Sequence, residues 1–135
     1  MKNRVLIIHN DPSIRAEIQA ALCEATMIVD TAFSPSEAID LFLHYDYNLI
    51  LFDIDSDVKE MIKPLRTITS VPILVLCDTN DPKERCALLE AGASACLTKP
   101  VDLQECMAQI KALLTYILPQ AKKRFSIRLL MAQNL

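Results

Sequence analysis

Residues 91–105 read AGASACLTKPVDLQE, and in this stretch a helix ends, a short strand follows and another helix begins. Gly92, the only glycine of the chain, is predicted to end the first helix, because a left-handed backbone conformation at that point suits glycine. The apolar residues 95–97 predict the strand, and Asp102 has the position of an N-cap for the second helix. Lys99-Pro100 therefore lies between a strand and a capped helix.

Short apolar runs of the same kind occur upstream. They occupy residues 5–8, 49–52 and 73–76, and polar residues follow each run at once. Short, mostly apolar strands that alternate with helical segments are typical of a parallel sheet covered by helices on both faces, with right-handed crossovers. Five candidate strands alternate with helices along the chain, four of them being these runs and residues 95–97, so the predicted fold class is α/β with a doubly wound five-stranded parallel sheet.

Helix signals fill the gaps between the strands. Asp11-Pro12 and Asp81-Pro82 each place an N-cap before a proline, and Ser34-Pro35-Ser36-Glu37 has the form of a capping box. The segment 57–68 has the weakest helical pattern, because Pro64 lies in its middle. With the helix capped by Asp102, the sequence predicts five helices.

The composition indicates one globular domain. The chain has 135 residues, of which 52% are hydrophobic and 23% charged, enough for one core and too few for two ordinary domains. Low glycine and aromatic contents argue against a β-sandwich or a disordered chain. A net charge of -3 predicts no general affinity for nucleic acid or anionic membranes. No apolar run is long enough for a signal peptide or a membrane span, so we expect a cytoplasmic protein.

The spacing of the cysteines along the chain matches neither a metal-binding motif nor a redox motif. Their number is odd and they are widely scattered, mostly in apolar segments: Cys23, Cys77, Cys86, Cys96 and Cys106. We expect reduced thiols that serve as small buried hydrophobic side chains. A disulfide between Cys77 and Cys96 is disfavoured, because these residues fall at offset positions of adjacent parallel strands.

Polar residues collect where the predicted strands end. They are His9, Asn10, Asp53, Cys77 and Lys99. The carboxyl ends of parallel strands share one edge of the sheet, and ligands bind beyond that edge. Asp53 and Lys99 have two interpretations here, a reactive carboxylate with its cation, or an ion pair that only closes this edge.

Four stretches resemble the receiver domain of two-component response regulators. They are VLIIHNDPSIR at 5–15, the strand that ends in Asp53, VPILVLCDTND at 71–81 and the stretch 91–105. The resemblance covers roughly residues 3–118 and implies the flavodoxin-like strand order 2-1-3-4-5.

The resemblance implies a phosphorylation site. In receivers, the aspartate that ends the third strand accepts a phosphoryl group from a kinase histidine, and the lysine that ends the fifth contacts the phosphate. Asp53 and Lys99 match these positions, and Pro100 is expected to follow a cis peptide bond. An acidic pair after the first strand helps to bind Mg²⁺ in the family, and here its positions hold His9 and Asn10.

The metal site departs from the family pattern. Asn10 can still offer an oxygen to Mg²⁺, whereas His9 suits softer transition metals. Asp11 could compensate, but helix capping is its favoured role. The family also uses Asp53 and the backbone carbonyl two residues later, which is that of Asp55. We therefore expect Mg²⁺ to bind weakly or not at all.

The switch positions differ as well. The hydroxyl position at the end of the fourth strand holds Cys77, whose thiol is a weak hydrogen-bond donor. The aromatic position in the fifth strand holds Cys96, which is too small to act as a rotating wedge. A phosphorylation signal must therefore pass through the domain differently.

Two functions remain open. The domain is either a phosphoacceptor in a phosphorelay, served by a sensor histidine kinase or a phosphotransfer protein, or a receiver-like interaction module that works without phosphorylation. In both cases we expect that the domain is not an enzyme, does not contact a membrane and does not bind nucleic acid directly. An output domain or partner protein would bind through the fourth helix, fifth strand and fifth helix, and a homodimer stays open. A flavodoxin is disfavoured, because the loop after the first strand lacks glycine.

The predicted receiver-like domain comprises residues 1–118, and a tail follows at 119–135. The tail has no acidic residue and contains the basic residues Lys122, Lys123, Arg124 and Arg128. A linker, a helix that packs on the domain or a partner, and a weak nucleic-acid contact are the alternatives. We favour the first two, because four basic residues with a single aromatic residue among them, Phe125, are poor support for nucleic-acid binding.

Overall fold

Strands and helices alternate along the chain in the computed structural model, which describes residues 2–9, 12–53 and 58–115. The elements are β1 (Arg4–His9), α1 (Pro12–Glu24), β2 (Ile28–Ala32), α2 (Pro35–His44), β3 (Leu49–Asp53), α3 (Val58–Ile68), β4 (Ile73–Cys77), α4 (Pro82–Ala91), β5 (Ala95–Thr98) and α5 (103–115). None of the helices described is both long and apolar enough to cross a membrane. The predicted tail, residues 119–135, lies outside the described residues.

The five strands form one parallel sheet in the order β2-β1-β3-β4-β5. This confirms the predicted order. The register places His9 beside Asp53 and Cys77 beside Thr98. The strand ends that carry the candidate site therefore meet at one edge, which we call the carboxyl edge; the opposite one is the amino edge.

Helices cover both faces of the sheet. On one face α2, α3 and α4 contribute Phe42, Ile62 and Leu88 to a buried cluster, and on the other α1 and α5 contribute Leu22 and Ile110. All five side chains of β3 and of β4 are buried, as expected of central strands in a sheet covered on both faces.

The starts of α2, α4 and α5 follow the predicted caps with one difference, and the predicted Asp11 cap of α1 lies outside the described residues. Ser34 Oγ accepts a hydrogen bond from the Glu37 N–H at 3.2 Å, as in a capping box. The Glu37 carboxylate accepts its return bond from the N–H of Phe33 at 3.0 Å, one residue earlier than the usual partner. The Asp81 and Asp102 side chains also accept backbone N–H bonds at their helix starts.

Helix α3 forms across Pro64. Proline removes one backbone donor from a helix interior, which costs about 3 kcal/mol. Ile62 and Leu65 on the same helix are fully buried, and their packing favours the helix. The weakest of the predicted helices is therefore confirmed.

Gly92 ends α4 with a φ of 127°, as predicted from its position. An added Cβ would lie 2.5 Å from Arg66 Cγ, so the arginine stem fills the space that a side chain would need. Arg66 Nε donates to the Gly92 carbonyl at 2.7 Å, and Nη1 donates to the Val71 carbonyl at 2.6 Å. Arg66 thus joins the end of α3 to the turns before β4 and β5.

The cysteines follow the prediction only in part. All five are free thiols, Cys77 and Cys106 are buried, and Cys96 is half-buried. Burial raises the pKa of Cys106 to about 11, which suits an inert packing residue. Cys23 and Cys86 are exposed, so the prediction of buried thiols was wrong for these two. Both occupy solvent-facing positions of helices, Cys23 in α1 and Cys86 in α4, and the flanking sequence did not reveal this.

Candidate functional site

Four strand ends bring the candidate residues to the carboxyl edge. Asp53 ends β3 and is 2% exposed, and His9 beside it ends β1. Cys77 ends β4, and Lys99 follows β5 directly. The predicted residues His9, Asp53, Cys77 and Lys99 therefore come together because of strand order alone.

Asp53 and Lys99 form a buried ion pair. Lys99 Nζ lies 2.5 Å from Asp53 Oδ1, and the two side chains are 15% and 3% exposed. The Lys99 N–H donates to the Cys77 carbonyl at 2.8 Å, which fixes the start of the lysine backbone against β4. The Lys99-Pro100 peptide bond is cis. The pair places an ammonium group beside a carboxylate at the ligand-binding edge of the sheet.

A second carboxylate lies near the lysine. Asp78 Oδ1 is 3.9 Å from Lys99 Nζ, and the Asp78 side chain is 60% exposed. An exposed ion pair at this distance contributes little to stability. Lys99 is therefore positioned between a buried acid and a solvated one.

His9 is buried against an aromatic ring. Its side chain is fully buried, and its ring lies 4.8 Å from that of Phe33, tilted by 59°. Phe33 is 61% exposed and follows β2 at the same edge. Phe33 was not among the predicted site residues; its place directly before the capping box at 34–37 was the available signal.

The predicted metal ligands lie partly outside the described residues. Asn10, Asp11 and Asp55 are all in the undescribed segments. Within the described ranges no group of three or more His, Cys, Asp or Glu side chains could hold a metal. The described part of the site offers Mg²⁺ the Asp53 carboxylate, which already contacts Lys99. It does not form the oxygen-rich shell that Mg²⁺ prefers.

The two cysteines at the switch positions contact the backbone and each other. The Cys77 thiol donates to the Leu97 carbonyl at 3.5 Å and lies 3.7 Å from the Thr79 carbonyl. Burial raises the pKa of the Cys96 thiol, and the neighbouring Cys77 raises it further. Cys96 pairs with Val75 in the register, so the two thiols are diagonal neighbours on one face of the sheet.

Known proteins resemble this chain over most of its length. Residues 5–111 match the response regulator receiver domain. Response regulator ArlR of Staphylococcus aureus (strain Mu50 / ATCC 700699) is 26% identical over 114 residues, which are 82% of this chain and 52% of ArlR. The chain thus spans about half the length of such relatives.

Solved structures agree with the sequence match. A two-component response regulator from Clostridium difficile superposes with a TM-score of 0.80 at 27% identity, covering 87% of this chain and 99% of that one. The receiver domain of the TMAO respiratory system response regulator TorR gives 0.79 at 25% identity, covering 85% and 98%. The strand order, the edge that gathers Asp53 and Lys99, and these matches show that the chain belongs to the response regulator receiver domain family.

Proposed function

We propose that this receiver domain is a phosphoacceptor in two-component signalling, with Asp53 as the residue that takes the phosphoryl group. The observation that supports this best is the buried Asp53 carboxylate in contact with Lys99 at the carboxyl edge. In the reaction, an Asp53 oxygen bonds to phosphorus, and the bond from phosphorus to the donor nitrogen or oxygen breaks. The donor group leaves with that electron pair.

Lys99 supplies the positive charge that this transfer needs. Phosphoryl transfer depends mainly on positioning and on neutralising charge around the transferring oxygens. Lys99 already lies within contact distance of the acceptor carboxylate, so a phosphoryl group on Asp53 would meet the ammonium without a large rearrangement. This arrangement supports Lys99 as the phosphate contact.

Receiver domains generally bind Mg²⁺ at the phosphorylation site. For this chain we infer a weakened site, with Asp53, Asn10 and the Asp55 carbonyl as the residues that would hold the ion. When bound, Mg²⁺ neutralises negative charge on the transferring group. The buried and aromatic-packed His9 supports the weakening, because an imidazole in place of a carboxylate removes an oxygen ligand.

A module that works without phosphorylation is less well supported. The thiols at both switch positions are in its favour, since they weaken the means of reading a phosphate. Against it, the acceptor aspartate and the phosphate-binding lysine are both present and in contact. An unreactive module would use the two residues only as the ion pair that closes this edge.

Partners and location follow from the same proposal. Response regulator receiver domains interact with histidine kinases or phosphotransfer proteins. We propose that this chain receives its phosphoryl group from one of them and contacts its output domain or partner through α4, β5 and α5, without acting as an enzyme. A homodimer formed through the same surface is part of this proposal, and sedimentation measurements test it. The five free thiols suit a reducing, cytoplasmic location.

Mass spectrometry tests the acceptor. After incubation with acetyl phosphate and Mg²⁺, or with a phosphorylated histidine-kinase domain, we expect the wild type to gain one phosphoryl group and Asp53→Asn to gain none. Asp30→Asn is the matched control, because Asp30 is also ion-paired but lies at the amino edge. No phosphoryl gain from either donor, or a gain that survives Asp53→Asn, contradicts the proposal.

A titration tests the metal site. Restoring both acids, with His9→Asp and Asn10→Asp together, should tighten Mg²⁺ binding relative to the wild type, measured by calorimetry. The control is the same double substitution with Asp53→Asn, which should lose the gain. Equal affinity in the wild type and the double variant would show that these positions do not face the metal.

A further inference from the structure

Helix α4 is weakly packed on the rest of the domain. Within α4 only Leu88 is buried, while Ala87 and Ala91 are half-buried and most other side chains are exposed. A helix stays on a sheet chiefly through its buried apolar face. One buried side chain is little for ten residues, so other contacts must hold α4 in place.

Two guanidinium groups hold α4, one near each end. Arg85 Nη2, from the first turns of α4, donates to the Cys96 carbonyl of β5 at 3.2 Å. Arg66 Nε, from α3, donates to the carbonyl of Gly92 just after α4 at 2.7 Å. The Arg66 contact ties the end of the helix to its neighbour α3, whereas the Arg85 bond adds a polar contact between α4 and β5 to the packing of Leu88.

The Arg85 contact falls at the position where receivers carry an aromatic residue. That residue is Cys96 here, and its side chain is half-buried beside the cluster under α4. The Arg85 side chain is itself half-buried. It therefore reaches from the helix to the backbone of β5 at Cys96.

The Arg85 guanidinium also affects the pKa of the Cys96 thiol. Burial raises the pKa of Cys96, and the positive charge of Arg85 opposes that rise. The other ionisable group that acts on this thiol is Cys77. Cys96 thus provides a chemical probe of where Arg85 lies.

We propose that Arg85 is a positioning residue that couples β5 to α4, in the place of the aromatic side chain that Cys96 does not supply. Lys99 lies three residues beyond Cys96 on the same stretch of backbone. We expect the displacement of that stretch on phosphorylation to be small, because Cys77 and Cys96 hold the switch positions, and the Arg85 bond is the contact through which it would reach α4. The signalling role rests on the proposed function, whereas the coupling itself does not.

Hydrogen exchange on the full, unphosphorylated chain tests the coupling. Arg85→Met keeps the apolar stem and removes the donors, and we expect roughly tenfold faster exchange across residues 86–91, since a hydrogen bond to a charged group is lost. Lys83→Met, at an exposed position of the same helix, is the control and should leave exchange unchanged. Unchanged exchange in a folded Arg85→Met protein overturns the proposal.

The pH profile of Cys96 alkylation gives a second readout, in a background with Cys23→Ser and Cys86→Ser. Arg85→Met should raise the midpoint of the profile, and Arg85→Lys should return it toward the wild-type value because the charge is kept. A role in packing alone would not move this midpoint. If the midpoint is the same in all three proteins, Arg85 does not lie at Cys96 in solution. Both measurements use no phosphate, so their failure leaves phosphorylation of Asp53 untouched.

Discussion

Each edge of the sheet carries an acid paired with a base, and the two pairs are built differently. At the amino edge Arg4 Nε donates to Asp30 Oδ2 at 2.8 Å, and the Tyr47 hydroxyl donates to the same oxygen at 2.6 Å. At the carboxyl edge Lys99 contacts Asp53. The Asp30 side chain is 25% exposed and that of Asp53 is 3% exposed. The deeper acid therefore lies at the edge where parallel sheets bind ligands.

The surroundings of the two acids differ, which indicates a structural role for Asp30 and a chemical role for Asp53. The Arg4 guanidinium also lies 4.0 Å from the centroid of Tyr45, which adds a cation–π contact. Burial raises the pKa of Asp30, but hydrogen bonds from Arg4 and Tyr47 outweigh it and lower the pKa overall. Beside Asp53, the end of β1 carries the His9 imidazole and the end of β4 carries the Cys77 thiol. We expect the amino-edge pair to contribute stability, whereas the proposed function places the reaction at the carboxyl-edge pair.

The largest expected effect separates the two aspartates by stability. Asp30→Ala should lower the free energy of unfolding by about 3 kcal/mol, because it leaves Arg4 and the buried Tyr47 hydroxyl without their shared acceptor. Asp53→Ala should cost less than about 1 kcal/mol, because Lys99 keeps Asp78 nearby and its stem can turn toward water. Urea denaturation measures both. A larger loss in Asp53→Ala than in Asp30→Ala would reverse our assignment.

A second expected loss concerns the Arg66 network of the amino edge. Gly92→Ala should lower the free energy of unfolding by about 2 kcal/mol, since alanine is strained at this φ and its Cβ would meet the Arg66 stem. In an Arg66→Ala background the same change should cost less, because the close contact is gone and only the backbone strain stays. Equal costs in the two backgrounds would show that the contact does not matter.

The amino-edge pair should also make the stability of the protein depend on pH, and this effect should be smaller than those of the two substitutions above. The pKa of Asp30 is lowered in the folded protein, so its contribution is present above the unfolded value of about 3.9 and is lost as pH falls through the lower folded value. Between about pH 5 and pH 3 the wild type should therefore lose more stability than Asp30→Asn. Urea midpoints at each pH measure this. Parallel pH profiles for the two proteins would contradict it.

The carboxyl edge was predictable from sequence and most of the amino edge was not. Apolar runs fix where parallel strands end, so Asp53 and Lys99 could be placed together without coordinates. The Asp30 and Arg66 networks depend on side chains from distant segments that meet only after packing, and no local period marks them. Arg85 was missed for the same reason, since α4 has almost no apolar face from which its orientation could be read.

The smallest expected effect concerns the conformational response of the domain to a phosphate at the carboxyl edge. Cys77 offers a weak hydrogen bond and Cys96 no wedge, so a beryllofluoride-type mimic on Asp53 should change hydrogen exchange across residues 82–115 only slightly. A neutral hydrogen bond contributes about 1 kcal/mol, and a ligand shifts an equilibrium only by its differential affinity for the two states. Cys77→Thr restores a hydroxyl. On binding of the mimic, the conformational equilibrium of this variant should shift about fivefold further than that of the wild type.

Binding of the mimic has to be shown first, and Asp53→Asn with the mimic is the control. A large change across residues 82–115 in the wild type would mean that the thiol transmits as well as a hydroxyl. In that case the Arg85 bond from α4 to β5 would be the natural route, because it reaches α4 without either switch side chain. A response that stays small in both the wild type and Cys77→Thr would instead place the limiting step at Cys96, and Cys96→Tyr should then enlarge it.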